Sequence, residues 1–126
     1  MIRDDRGSAV VEFVLVGMML TFLTLAVLQL GLALHIRNTV LDAAAEGARF
    51  GALADNVPAD GVGRTIELIS SAIGPGYASD VSVSEGEWMG YPALTITVRT
   101  TLPVLGPLGP AGALEVSGHA VVETLD

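Results

Sequence analysis

The sequence predicts an α+β protein: a long N-terminal transmembrane helix continuing into an extracytoplasmic stalk, a second amphipathic helix, and a small three-stranded antiparallel sheet. Three observations carry this. No charged residue occurs from Phe13 to Leu34. Val62, Ile66, Ile69 and Ile73 recur at helical spacing. From Val81 onward, apolar and polar residues alternate with the period of a half-buried strand.

The apolar run comes first. At about 1.5 Å rise per residue it makes about 33 Å of helix, enough to cross a hydrocarbon core of roughly 30 Å. A buried helix in a water-soluble protein would need less apolar surface. From Phe13 to Leu28 only Thr21 and Thr24 break it, and both can hydrogen-bond back to the helix. A cleaved secretory signal fits poorly, because the leader mixes Arg3 and Arg6 with Asp4 and Asp5, and the run is too long. No small-x-small cleavage site follows Leu34, so the segment should stay as an anchor. Arginines flank both ends, and the positive-inside count barely decides orientation. The N-terminus is placed in the cytoplasm because long segments translocate largely regardless of their charge.

Past Leu34 the residues keep helical character without a stop. Ile36, Val40, Ala44 and Ala48 form a narrow apolar stripe, while Arg37, Asp42, Glu46 and Arg49 lie on other faces. Glu46 and Arg49 can pair at i,i+3. A helix from Ser8 to Leu53 would be roughly 70 Å long. Gly47 and Gly51, set among alanines, leave a smooth strip for possible helix packing, either with another chain's helix or with the second helix of this one. Asn56, Pro58, Asp60 and Gly61 should end the long helix, with Asp60 as N-cap of the next. Gly74-Pro75-Gly76 stops that second helix. The expected organisation is a leader at 1–7, a transmembrane helix at 8–34 and a head at 35–126. Within the head, the helix extension is 35–53, the second helix 60–73 and the sheet 80–123.

In the sheet, Val81 and Val83 mark a short first strand. Leu94, Ile96, Val98, Thr100 and Leu102 point one way and Thr95, Thr97, Arg99 and Thr101 the other. Leu114, Val116, Gly118, Ala120 and Val122 form a third set. Glu85 to Pro92 and Pro103 to Gly112 are expected to be the joining loops. Trp88, Met89 and Tyr91 are either an exposed contact patch or an aromatic cover for the end of the sheet.

Composition narrows function. The 126 residues carry net charge −8, with six arginines and no lysine. That argues against nucleic acid as a partner, because releasing phosphate counterions needs a basic surface. Zero cysteines exclude thiolate catalysis and cysteine-ligated metal. His35 and His119 share no ligand spacing, and no nucleophile elbow or phosphate loop occurs. No enzyme, metal, cofactor or small-molecule substrate is expected.

Glu12 is the residue that demands explanation. A charge at the centre of a bilayer costs about 2.5 to 3.5 kcal/mol on insertion scales, so an acid at the start of a membrane helix calls for a partner. The bland reading leaves it at the headgroup interface, where such a charge is cheapest. The alternative is a site, with Gly7-Ser8 just before it and Glu12-Phe13 leading the apolar run.

That pattern, Arg6-Gly7-Ser8-Ala9-Val10-Val11-Glu12-Phe13, resembles the processing site of type IV pilin-like proteins, whose leader is removed after glycine by a membrane prepilin peptidase. Together with Asp42 to Ala52, a second helix, alternating strands and the closing Ala120-Val121-Val122-Glu123, most of the chain resembles the TadE family of pilus-assembly pseudopilins. The similar TadF pseudopilins share the leader. The leader departs from a plainly basic one in carrying Asp4 and Asp5.

The resemblance implies cleavage between Gly7 and Ser8, which would make Glu12 the fifth mature residue. It implies a minor pilin-like subunit of a Flp-type, tight-adherence pilus and secretion machine in a bacterial inner membrane, with its head outside. Its partners would be the membrane, the prepilin peptidase and other pseudopilins, with the major pilin as an open case. Removing Met1 to Gly7 takes two arginines and two aspartates, so net charge is unchanged. Cleavage would also expose an ammonium on Ser8, about one helical turn from Glu12. Between subunits stacked with an axial offset, that ammonium and the Glu12 carboxylate could set register. An unprocessed single-pass anchored binding protein of the cell envelope is the alternative.

Overall fold

The computed structural model describes residues 5–102 and 112–123. Its elements are α1 (Asp5–Gly51), α2 (Pro58–Ala72), a 3-10 turn (Pro75–Ala78), β1 (Val81–Trp88), β2 (Tyr91–Leu102) and β3 (Gly112–Val121). The strands form one antiparallel meander in the order β1-β2-β3. The α+β architecture predicted from the sequence is the one observed. The chain forms two compact units, residues 1–32 and 33–126.

In the first unit, from Phe13 to Leu28, only Thr21 and Thr24 break the apolar exterior of α1. Every residue from Arg6 to Leu28 is exposed. The helix is long and apolar enough to cross a membrane. Thr24 donates its hydroxyl to the Leu20 carbonyl at 2.8 Å, so this polar group is satisfied within the helix. Among the described residues, a lipid phase is the environment that suits such a surface.

In the second unit the same helix is covered. Ile36, Val40, Ala44 and Ala48 are all buried, as their four-residue repeat requires, and Ala43 and Ala52 join them. The inner sheet face supplies the opposite side of the core through Leu94, Ile96, Val98, Leu114, Val116 and Ala120. Each fully buried aliphatic side chain contributes roughly 1.5–3 kcal/mol. Alternating positions on β2 are shielded less or exposed: Thr95 and Thr97 are half-buried and Arg99 is exposed. The expected one-sided strand pattern is therefore realised. The Glu46–Arg49 pair forms at 3.7 Å on the exposed side of α1.

Several boundaries differ from expectation. α1 ends at Gly51 and not Leu53. α2 starts at Pro58, with Val57 as the N-cap residue and Asp60 at the third helical position. Asp60 reaches back instead of capping forward: its carboxylate accepts the Val57 N–H at 2.9 Å. The proline occupies a first-turn site where a missing N–H is harmless. α2 ends at Ala72, and Gly74 turns the chain out at φ 113°, a conformation that glycine reaches without a Cβ penalty.

The first hairpin differs most. Glu85 to Pro92 is not a loop, because β1 pairs with β2 as far as Trp88 opposite Tyr91. Met89 and Gly90 alone make the turn, at φ 53° and 84°. Two left-handed residues in a two-residue loop match the right-handed twist of the strands. Of the second expected loop, residues 103–111 lie outside the described residues.

Candidate functional site

Two groups of residues were singled out by the sequence, and they lie in different units. The first is Gly7, Ser8, Glu12 and Phe13. Met1 to Asp4 of the expected leader lie outside the described residues, and Gly7 falls in the first turns of α1. Glycine costs about 1 kcal/mol relative to alanine in a helix interior. Glu12 lies one turn beyond Ser8, and Phe13 beside it is 79% exposed. Glu12 makes no ion pair among the described residues. Its carboxylate therefore stands exposed at the head of the apolar run.

The second group is Gly47 and Gly51. They lie against α2, the chain's own second helix. A Cβ on Gly47 would lie 2.7 Å from the Gly61 carbonyl oxygen and collide with the Thr65 hydroxyl. On Gly51 it would lie 2.8 Å from Leu94 Cδ2 and 3.1 Å from Gly61 Cα. The Gly61 backbone meets the bare backbone of α1 here, with only the Thr65 hydroxyl and the end of Leu94 beside it, so the two helices cross closely.

The sequence reading missed the other half of this crossing. It placed the buried face of α2 on Val62, Ile66, Ile69 and Ile73, whereas Ile66 is 39% exposed and the buried residues are Gly61, Thr65 and Ile69. Thr65 is fully buried, and its hydroxyl donates to the Gly61 carbonyl at 2.8 Å. Gly61-x-x-x-Thr65 repeats the small-residue spacing of Gly47-x-x-x-Gly51, a signal that matching the two helices would have found. Gly118 was assigned to the inner face of β3 but not to a close approach. A Cβ there would fall on the Ala44 and Ala45 backbone. α1 is thus flanked tightly by α2 and β3.

His119 lies on the outer sheet face. Its ring stacks on Trp88 with centroids 5.3 Å apart and planes 7° from parallel. Its Nδ1 is 2.9 Å from the Thr95 hydroxyl. No group of three or more acidic, histidine or cysteine residues is placed to hold a metal among the described residues. A shallow groove along α1 and α2 holds Asp42 and Glu46, the latter already paired with Arg49.

Residues 7–49 match the TadE-like protein family. The match runs from the glycine of the expected processing site through the apolar run to Glu46-Gly47-Ala48-Arg49. The TadE-like segment therefore covers Gly7, Ser8, Glu12, Phe13 and Gly47, and stops before Gly51 and α2. No curated protein and no solved structure matches the chain. Among the described residues, one long apolar helix is compatible with a single-pass membrane anchor.

Proposed function

We propose that this chain is a minor pilin-like subunit, a pseudopilin, that serves assembly of a Flp-type tight-adherence pilus and performs no catalysis. A prepilin peptidase cuts between Gly7 and Ser8 on the cytoplasmic side of the inner membrane, and the head lies outside. The observation that carries this reading is the TadE-like match beginning at Gly7, over a helix whose apolar run from Phe13 to Leu28 is exposed and whose acid just before that run, Glu12, makes no ion pair among the described residues.

Physical chemistry gives Glu12 its role. Cleavage creates an ammonium at Ser8, and the neighbouring subunit's Glu12 carboxylate is the complementary charge. In an environment of low dielectric, misaligned subunits would leave both groups unpaired, at a penalty much larger than the net gain of the pair. The pair then selects register among other pseudopilins and the major pilin. Glu12→Gln and Glu12→Leu should insert into the membrane normally and impair subunit assembly, measured by co-purification with other pilins after crosslinking. Normal assembly in both variants would refute the register role.

A further inference from the structure

The tip of the β1–β2 hairpin carries an exposed apolar surface. Trp88 is 44% exposed, Met89 79%, Tyr91 62% and Val121 48%. Register places them together, because Trp88 pairs with Tyr91 and Val121 pairs with Ala93, two residues further along β2. Ala93 itself is buried. The outer face thus ends in an apolar patch around a covered alanine.

Two features separate this patch from scattered surface apolar residues. Trp88 is held in place: it stacks on His119, and His119 is held by Thr95. An aromatic fixed before binding loses little freedom when a partner covers it. Met89 occupies the left-handed first position of the turn at φ 53°, where Asn, Asp or Gly is favoured. A strained conformation that displays an exposed thioether returns nothing to the fold, whereas flexible methionine suits a binding surface.

Charge selects the occupant. Glu85 and Glu87 sit in β1 just before the tip, on the face of the hairpin opposite Trp88 and Tyr91, so an end-on partner would meet both faces; they are exposed and without an ion pair among the described residues. Elsewhere in the head, Arg49, Arg64 and Arg99 are each matched by Glu46, Glu67 and Glu115, which leaves Arg37 as the single head arginine without an ion pair among the described residues. A second copy of a chain with net charge −8 offers poor complementarity to two free acids. An anionic lipid surface repels them. We propose that the hairpin tip is a docking knob for a different protein, one presenting an apolar pocket rimmed by arginine or lysine. Trp88, Met89 and Tyr91 enter the pocket, and Glu85 and Glu87 meet its rim.

The test places a benzophenone amino acid at Tyr91 of the full chain, in the membrane of cells that make it, and identifies the photo-crosslinked peptide by mass spectrometry. The expected adduct is with another protein, in a segment where Arg or Lys flanks apolar residues. Its yield should fall at least about tenfold with Glu85→Arg plus Glu87→Arg, as for hot-spot groups. Met89→Asn should lower the yield similarly while leaving the thermal midpoint of the head the same or higher, because Asn-Gly suits this turn. That variant separates lost docking from lost folding. An adduct with a second copy of this chain, an adduct with lipid alone, or a yield indifferent to the charge reversal would overturn the proposal.

Discussion

Residues 6–32 and 33–51 belong to one uninterrupted helix and bear opposite surfaces. In the first stretch Val14, Leu15, Phe22, Leu23 and Leu28 are large and exposed, whereas in the second Ala43, Ala44, Gly47 and Ala48 are small and buried. Helix formation is common to both; what differs is that the second stretch has a covered face, where Ile36 and Val40 pack as large side chains and the small residues lie against neighbouring backbone. Large side chains all round a helix suit lipid, which surrounds them without specific fit. Small ones admit neighbouring backbone, and the stability of the head then depends on atoms that are absent.

That contrast can be broken most severely at Gly118. A Cβ there would lie 2.6 Å from Ala45 Cα, and no rotamer change relieves a clash with backbone. Gly118→Val should destabilise the head by on the order of 3 kcal/mol or more, with membrane insertion retained. Thermal unfolding of the full chain in detergent reads the first effect and membrane fractionation the second.

Leucine truncation sharpens the same contrast. Leu94→Ala removes a side chain that is 1% exposed, and should cost the head about 2–5 kcal/mol. Leu23→Ala removes one that is 58% exposed, and should leave the unfolding of the head within about 0.5 kcal/mol. Equal losses would mean that the two surfaces are not distinct.

Thr65→Val tests the crossing of α1 and α2 more gently. Shape is kept while the buried hydroxyl and its bond to the Gly61 carbonyl are lost. The expected loss is about 1 kcal/mol, which lowers the midpoint of a domain of this size by about 4–8 °C. At the small end, Arg99→Ala breaks a pair with Glu115 at 3.2 Å in which both side chains are more than half exposed. Solvent screening should hold its effect on chemical denaturation below about 0.5 kcal/mol.

These expectations also mark what was readable from the sequence. Leu94, Ile96 and Val98 announced their buried face because a strand repeats every two residues, and Ile36, Val40, Ala44 and Ala48 did so at helical spacing. Gly61 and Thr65 did not, since a hydrophobic pattern weights large side chains and this contact is made by small ones. Ile66 drew attention by its size and lies exposed. The turn at Met89-Gly90 was hidden for a related reason: methionine is not a residue favoured at positive φ, so Glu85 to Pro92 read as a loop. Gly7, Ser8 and Glu12 were legible as a motif, and the match to residues 7–49 begins at that glycine.

The most direct measurement is the N-terminus itself, by intact mass and N-terminal sequencing of the full chain expressed with and without a cognate prepilin peptidase. The account predicts a new terminus at Ser8 when the peptidase is present, with Met1 to Gly7 lost. An unchanged terminus at Met1 in both samples would contradict it and leave an unprocessed anchored protein whose Glu12 has no ammonium to meet.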